Sequence, residues 1–323
     1  MSVPEIAILS YHGWEIDPER LAADVIALRA RGWQDVSLKD LQSRFRNASG
    51  GRLFHVTIDD GAEGDRECVS ALGRVSCPVT LFVSLDAMTE ASRAVHRELR
   101  SCADVALADH SLQHNRTFHY RHVIGFHSDA APLMTSPERL GLKTGDPVCV
   151  YGGELTRRQF IPEAHAGAVC REAVGGLSEV PGSTRWSEAL ANRLIESGMG
   201  YRRLGRLCIA GAYEPEEAFR SRLKEYLARG RDRLAEFTGS PPIAFAYPWW
   251  QPSPVGDSCL HALQYQMTFS GRDLCRQRST FNIPRLFVNS ETPRPLDPLV
   301  LSGMQSSPVA TRMRDIARRV AFA

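Results

Sequence analysis

The 323-residue sequence lacks several features that would each indicate a particular class of protein. It has no run of about 18 apolar residues, so a membrane-spanning helix is not expected. Its formal net charge is only +2, which provides no electrostatic footprint for nucleic acid or for an anionic membrane. The sequence therefore predicts a protein whose partners include no nucleic acid and that has no membrane span.

Closely spaced cysteine pairs and a recognisable export signal are also missing. No two of the eight cysteines form a C-x-x-C pair; they stand at positions 68, 77, 102, 149, 170, 208, 259 and 275. In a chain of this length that scatter indicates reduced, mostly buried thiols and not a disulfide framework. The N-terminus has no basic start, apolar core or cleavage site, and residues 5–9 already look like a strand. We therefore expect a cytoplasmic protein.

Short apolar runs alternate with amphipathic segments over the first third of the chain. Strands are expected at residues 5–11, 36–38, 53–58, 78–84 and 105–108, with helices between them at 17–31, 38–46, 63–72 and 91–100. Such an alternation is typical of parallel β/α units. The sequence thus predicts an α/β fold.

The alternation stops after residue 114. Residues 116–185 are rich in glycine, proline and polar residues and contain few long periodic runs. We interpret them as a partly ordered insertion or lid within a single catalytic domain that comprises residues 1–323. Regular patterns return with helices at 186–198 and 214–237 and a strand at 243–247.

A group of histidines and aspartates has the composition of a metal site. Five of the ten histidines lie between residues 110 and 127, and His110 and His114 have H-x-x-x-H spacing. Upstream, the strand at 53–58 ends in the pair Asp59-Asp60. Two imidazoles and one carboxylate can hold a catalytic zinc-type ion with an open position for water, and the second carboxylate can then act as a base.

Each half of this group also has an ordinary structural interpretation. H-x-x-x-H alone is a weak metal signal, and Asp-Asp-Gly after a strand is most often a turn or a helix N-cap. Their order makes the combination more specific, because both follow expected parallel strands. The carboxyl ends of such strands are where α/β barrels place their chemistry.

Six short segments resemble the polysaccharide deacetylase family, also known as the NodB-homology or carbohydrate esterase 4 family. The two that contain the histidines and aspartates are T-I-D-D-G at 57–61 and H-S-L-Q-H at 110–114. The others are I-L-S-Y-H at 8–12, V-T-L-F-V at 79–83, A-F-A-Y-P at 244–248 and I-P-R-L at 283–286. The resemblance covers residues 5–115 and 214–290 and leaves the expected insertion unmatched.

This resemblance implies a fold, a cofactor and a reaction. The fold would be a distorted (β/α) barrel of seven or eight strands with a long insertion after the H-x-x-x-H motif. One divalent metal, Zn2+ in preference to Co2+, Ni2+ or Fe2+, would be held by Asp60, His110 and His114. Asp59 would be the general base that activates water. The implied reaction is hydrolysis of an N-acetyl or other N-acyl group on an amino sugar.

Two departures from the family pattern change the residues expected to act. Ala246 occupies the place where many members carry an arginine that holds the catalytic aspartate, so Arg285 is predicted to reach Asp59 instead; the alternative is a surface ion pair. The family's late L-x-x-H motif, which supplies the general acid, has no clear copy. His12 is the best-placed replacement, and His261 is expected to be structural. The remaining candidates are His119, His122 and His127.

Aromatic residues follow the strand at 243–247. Tyr247, Trp249 and Trp250 are predicted to bind substrate, because an exposed aromatic ring at a strand end can stack on a sugar face. Core packing is the alternative for the two tryptophans.

We therefore predict a metal-dependent N-deacetylase. Its substrate would be an amino sugar, a small glycosylated metabolite or a lipid-linked precursor. Two alternatives remain open at this point. The same centre could hydrolyse a non-sugar amide or formamide, or the chain could be a binding protein that has kept the fold without catalysis.

Overall fold

The computed structural model of the chain describes residues 5–46, 51–130, 140–271, 273–275 and 279–306. These residues form two compact units. The first contains the described residues up to His114 and from Arg222 to Ser306, and the second contains those of 115–221. No helix among the described residues has both the length and the apolar content needed to cross a membrane.

The regular elements are, in chain order, β1 (Glu5–His12), α1 (Pro18–Ala30), β2 (Gln34–Asp35), α2 (Leu38–Arg46), β3 (Arg52–Asp60), α3 (Asp65–Arg74), β4 (Val79–Val83), α4 (Glu90–Leu99), β5 (Val105–Asp109), β6 (Arg116–Phe126), β7 (Pro147–Gly153), β8 (Phe160–Pro162), α5 (Ala164–Val174), α6 (Thr184–Glu196), β9 (Gly200–Arg203), β10 (Arg206–Ile209), β11 (Gly211–Tyr213), α7 (Glu216–Thr238), β12 (Ala244–Ala246), α8 (Pro254–Ala262), β13 (Met267–Ser270), β14 (Ile283–Pro284), β15 (Leu286–Phe287) and α9 (Pro298–Ser306). A short 3-10 turn, Pro248–Trp250, follows β12.

The first unit is built on a nearly closed parallel sheet. Its strand order is β14-β13-β12-β5-β4-β3-β1-β15, with β2 beside β3. All of these pairs are parallel. The strands at the two ends of this order, β14 and β15, are separated in sequence by Arg285 alone. The predicted α/β fold with a distorted seven- or eight-stranded barrel is confirmed.

The strands of this sheet are apolar on both faces, because each face packs against a separate apolar cluster. In β1, Ala7 and Leu9 pack in one cluster with the helix α1 residues Leu21 and Val25. Ile8 belongs to a second cluster, which joins β1 to β4, β12 and β13. Burial on both faces explains the continuous apolar runs in the sequence.

Helix α1 shows how the local sequence sets the boundaries of the helical layer. The Asp17 side chain accepts hydrogen bonds from the backbone N–H groups of Glu19 and Arg20, and Pro18 occupies the first turn. These contacts satisfy N–H groups that have no partner within the helix. The helix therefore begins where the sequence predicted it.

Strand register determines which polar residues meet at the carboxyl edge of the sheet. His12 at the end of β1 is paired with Asp59 at the end of β3. Asp60 is paired with Val83 of β4, and Val83 is paired with Asp109 of β5. The segment that begins at His110 therefore leaves the sheet beside the two aspartates.

The second unit has its own sheets and its own core. Strands β7-β6-β10-β9 form an antiparallel sheet, and β8 pairs with β11. Trp186, Leu190 and Leu194 of α6 pack with Phe126 and Phe160. This unit begins one residue before the expected insertion and extends beyond its predicted end at residue 185. That the insertion is a lid stays a prediction.

The regular structure of the second unit gave a weak signal in the sequence. Strands β6 and β7 contain polar residues and glycines at irregular positions, and their pairing shifts register twice. Irregular antiparallel strands of this kind lack both the continuous apolar run and the strict alternation that identify a strand.

Candidate metal centre and active site

Three predicted metal ligands lie together at the carboxyl edge of the barrel sheet. Asp60 Oδ1 is 3.5 Å from His110 Nε2 and 3.4 Å from His114 Nε2. One potential ligand atom from each of the three side chains lies within 4.8 Å of the others. The parallel sheet thus brings together the T-I-D-D-G and H-S-L-Q-H segments, which are far apart in the sequence.

These distances can be compared with the geometry of a bound ion. A tetrahedral Zn2+ with ligand bonds of about 2.0–2.1 Å has neighbouring ligand atoms about 3.3–3.4 Å apart. The two measured O–N distances are close to that value. In addition, Asp60 Oδ1 is buried and accepts no hydrogen bond from any described residue. The donor set and its spacing fit a divalent metal.

The backbone around these ligands has an uncommon conformation. Asp60, Ser111 and His114 all have positive φ, at 78°, 72° and 54°. A non-glycine residue in this region costs free energy and is retained where the surrounding structure holds it. Gly61 follows with φ of 76°, and a Cβ atom there would lie 2.9 Å from the sulfur of Met88. The positive φ and the nearby Met88 side chain therefore favour glycine after the second aspartate.

Hydrogen bonds hold the segment that contains the two histidines. The Ser84 hydroxyl donates to the carbonyl of His110 over 2.7 Å. The Ser111 N–H donates to Asp109, and the Gln113 N–H donates to the hydroxyl of Tyr226. The imidazole of His110 is oriented as well, because its Nδ1 lies 2.9 Å from the carbonyl oxygen of Ala246. With Nδ1 as the donor, Nε2 carries the lone pair that a metal needs.

Asp59 lies beside the three predicted ligands and has different partners. Arg285 Nη1 donates to Asp59 Oδ1 over 2.7 Å, and the Ser10 hydroxyl donates to Oδ2 over 3.2 Å. Both Arg285 and Asp59 are buried. Burial raises the pKa of Asp59, but the charges of Arg285 and His110 outweigh it and hold the pKa below its ordinary value. Asp59 is therefore an ionised carboxylate that can accept a proton.

The pKa values of the candidate ligands Asp60 and His110 also depend on burial and on neighbouring charges. Burial raises the pKa of Asp60, but contacts with His110 and His114 reverse this and leave it well below the ordinary value. Burial lowers the pKa of His110, and the neighbouring charges of Asp59 and Asp60 raise it above the ordinary value. A cation is thus favoured at the point where these groups meet.

His12 is a fifth titratable group at this edge, beside the two aspartates and the two histidines already described. Its Nε2 is 3.7 Å from Asp60 Oδ2, and its Nδ1 is 3.2 Å from Glu15 Oε2. The rings of Trp14 and Phe287 lie 5.3 Å and 5.4 Å from the His12 ring, centre to centre. The imidazole is thus held between a carboxylate partner on one side and the Asp60 carboxylate on the other.

The three predicted substrate-binding aromatics have different surroundings. The Trp249 ring lies 4.5 Å from the His114 ring, and the Trp250 ring lies 6.1 Å from the His12 ring. Both tryptophans are partly exposed. Tyr247 is fully buried, and its hydroxyl donates to Asp257 over 2.8 Å. The structure therefore places Trp249 beside the candidate ligand His114, Trp250 near His12, and Tyr247 in the interior.

The remaining candidate histidines lie on α8 and in the second unit. His261 is exposed on α8, with its ring 5.7 Å from that of Phe281. In the second unit, His119 Nε2 lies 3.2 Å from the carbonyl oxygen of Gly153, and His127 Nε2 lies 3.3 Å from Asp129. His122 is paired with Cys208 between β6 and β10.

Three contacts made by the candidate site residues at the barrel edge were not anticipated from the sequence. They are the hydroxyl of Ser10, the carboxylate of Glu15 and the carbonyl of Ala246. Two of them had a signal. Ser10 precedes His12 by two residues and so points to the same face of β1, and Glu15 follows His12 by three residues. The contact with the Ala246 carbonyl had no signal in the sequence, because every residue has a backbone carbonyl.

Three solved structures of deacetylases are similar in fold to this chain. The deacetylase domain of BpsB from Bordetella bronchiseptica is 14% identical, with 88% of this chain and 96% of that chain covered and a TM-score of 0.57. A de-N-acetylase from Aggregatibacter actinomycetemcomitans is 12% identical, with 90% and 97% covered and a TM-score of 0.56. The deacetylase PplD from Streptococcus pyogenes, solved with acetate, is 11% identical, with 95% and 100% covered and a TM-score of 0.53.

No protein-family model and no curated protein sequence matches the chain. At these low identities the structural likeness establishes the fold, and it agrees with the fold that the motif resemblance implied.

Proposed function

We propose that this protein is a metal-dependent N-deacetylase of the polysaccharide deacetylase family that removes an acetyl or other acyl group from an amino sugar. The observation that supports this most directly is the meeting of Asp60, His110 and His114 within ligand distance of one another, beside the ionised Asp59. The deacetylase fold of the chain adds independent support.

Asp60 and the Nε2 atoms of His110 and His114 would hold the metal. When bound, a divalent ion lowers the pKa of water and polarises the substrate carbonyl. Zn2+ is the ion we favour, with Co2+, Ni2+ and Fe2+ as alternatives, because the donor set is two imidazoles and one carboxylate.

The remaining residues supply proton transfer. Asp59 accepts the proton of the water that adds to the acyl carbon, and Arg285 keeps this carboxylate ionised and fixed. His12 donates a proton to the amide nitrogen as the C–N bond breaks, and Glu15 orients its ring. The products are a carboxylate and a free amine. The position of His12 Nε2 next to Asp60 supports it as the acid.

The amino-sugar specificity rests on the aromatic residues around the ligands. Partly exposed Trp249 and Trp250, together with Trp14, which is 65% exposed, give apolar ring faces next to the candidate metal site. Sugar rings stack on such faces through their C–H groups. We retain a soluble amino sugar, a small glycosylated metabolite or a lipid-linked precursor as the substrate class, and a cytoplasmic location stays a prediction from the sequence.

The test is metal analysis of the purified protein, combined with a screen for released carboxylate. N-acetylglucosamine derivatives, formamides and simple acetamides are incubated with the protein, with and without a chelator. We expect about one equivalent of metal, and acyl release from amino sugars that the chelator abolishes and added Zn2+ restores. Hydrolysis of formamides alone would favour the non-sugar amidase, and bound metal without any hydrolysis would favour a binding protein. Hydrolysis that resists chelation and persists in Asp60→Asn would refute the metal mechanism.

A further inference from the structure

The second unit contains a strongly basic cleft that takes no part in the proposed reaction. Its volume is about 550 Å³. No carboxylate is among the side chains that line it, which are those of Arg121, His122, Arg203, Leu204, Arg206 and Tyr213. A cleft of this size accommodates a small organic ligand and not merely a single ion.

A β-hairpin brings two of the arginines face to face. Strands β9 and β10 are joined by Leu204-Gly205, whose φ values of 50° and 74° are those of a tight hairpin turn. The register pairs Arg203 directly with Arg206. Like charges directly opposite each other on paired strands are destabilising. Among the described residues neither arginine forms an ion pair with a carboxylate, so an external anion would relieve this repulsion.

The third arginine is held rigidly by tyrosines. Arg121 Nη1 donates to the hydroxyl of Tyr201 over 2.9 Å, and its guanidinium lies 5.7 Å from the centre of the Tyr213 ring. These neutral partners fix the guanidinium without neutralising its charge. A guanidinium oriented in this way binds oxyanions with a smaller loss of side-chain entropy.

We propose that this cleft binds the phosphate group of a phosphorylated ligand. Three guanidinium groups in one cleft exceed the charge of a single carboxylate and match a phosphate or diphosphate, whose several oxygens accept paired N–H bonds from arginine. The imidazole of His122 adds a further donor. Leu204, which is 94% exposed at the hairpin tip, provides an apolar contact at the edge of the cleft.

The phosphate can belong to a soluble compound or to a lipid headgroup, because both present the same oxygens. The first probe is inorganic pyrophosphate, titrated into the full-length protein by calorimetry at low ionic strength. The test variants are Arg203→Gln and Arg206→Gln. The matched control is Arg202→Gln, which removes the same charge from an exposed neighbour that does not line the cleft.

We expect saturable binding of one pyrophosphate that weakens about tenfold in each test variant and changes less than about twofold in the control. Because pyrophosphate also chelates metals, the titration is repeated with Asp60→Asn, in which binding to the cleft should persist. Equal losses in Arg202→Gln and Arg206→Gln, or loss of binding in Asp60→Asn, would show that the cleft is not the site and overturn the proposal.

The second probe separates the two sources of phosphate. Phosphatidylcholine vesicles, with or without phosphatidic acid, are sedimented with the protein. Binding to phosphatidic acid vesicles that Leu204→Ser and Arg206→Gln both abolish assigns the cleft to a lipid headgroup. Pyrophosphate binding without vesicle binding assigns it to a soluble phosphorylated compound. Failure of both probes contradicts the proposal and leaves the deacetylase function untouched.

Discussion

Arg285 and Asp59 are 226 residues apart in sequence, yet Nη1 of one donates to Oδ1 of the other over 2.7 Å inside the barrel edge. Arg285 is the single residue between β14 and β15, the two strands that nearly close the sheet. The ring of Phe82 lies 5.5 Å from its guanidinium. The contact therefore couples closure of the barrel to the charge state of the proposed base.

Replacing Arg285 should reduce both stability and turnover. In Arg285→Met, the buried carboxylate of Asp59 would lose its cation, and removing one member of a buried ion pair costs about 3 to 5 kcal/mol. Urea unfolding measures this loss. Arg52→Ala is the control, because the ion pair between Arg52 of β3 and Glu5 of β1 lies in the same sheet but is exposed, and it should be worth less than about 1 kcal/mol. Equal losses in the two variants would contradict a buried pair at this position.

The two adjacent aspartates should be separable by experiment. Asp59→Asn should retain metal and lose turnover by about 10²- to 10⁴-fold, because a general base contributes on that scale. Asp60→Asn and His114→Ala should lose both metal and turnover. Elemental analysis of purified protein, together with the rate of acyl release, measures the two properties. A near-normal rate in Asp59→Asn would remove this residue from the proposed mechanism.

The parts of the site that the sequence predicted are those that follow recognisable strands. The parallel arrangement of β1, β3, β4 and β5 could be inferred from continuous apolar runs. Once those strands are parallel and adjacent, Asp60 and His110 must emerge at the same edge. The grouping of the candidate ligands is thus a consequence of strand order and did not require knowledge of any side-chain contact.

Contacts that depend on exact register or on backbone atoms could not be predicted in this way. The Ala246 carbonyl orients His110, but the residue type gives no indication of this contact. Tyr247 directly follows the buried strand β12, and its position in the sequence does not show which way its side chain points. Only the structure shows that its hydroxyl donates to Asp257 in the interior. The amount of regular structure in the second unit was also underestimated from the sequence. Its sheets are irregular, and its apolar core is assembled from short, separated segments.

The proposed role of His12 predicts a dependence on the leaving group. His12→Gln should retain metal and lose turnover on an N-acetyl sugar, because the departing amine then lacks a proton donor. The same variant should hydrolyse 4-nitrophenyl acetate at close to the rate of the unmodified protein, since that leaving group needs no proton. Glu15→Gln should show a smaller loss of the same kind. If His12→Gln slows both substrates equally, the residue acts through structure and not as the acid.

Trp249 should affect substrate binding more than chemistry. Trp249→Ala should raise KM for an N-acetyl sugar roughly two- to tenfold through loss of ring stacking, with a smaller change in kcat, and Trp249→Phe should restore most of the affinity. Tyr247→Phe is the matched control, because the hydroxyl it removes binds Asp257 in the interior. That control should lower the melting temperature and leave KM unchanged. An unaltered KM in Trp249→Ala would argue against sugar stacking at this ring.

His55 should make the first unit sensitive to acid independently of the metal. The buried ring lies between the carbonyl oxygen of Val36, 2.7 Å from Nδ1, and the hydroxyl of Thr80, 2.9 Å from Nε2. Burial lowers the pKa of His55 to about 4, against an ordinary value of 6.5. Because the unfolded chain binds this proton more readily, the stabilising contribution is present above pH 6.5 and is lost as the pH falls through 4.

Unfolding is measured in the presence of chelator at about pH 7 and about pH 4. Between these two pH values the free energy of unfolding of the unmodified protein should fall by about 3 kcal/mol more than that of His55→Gln. Equal decreases in the two proteins would show that His55 does not titrate as its burial requires.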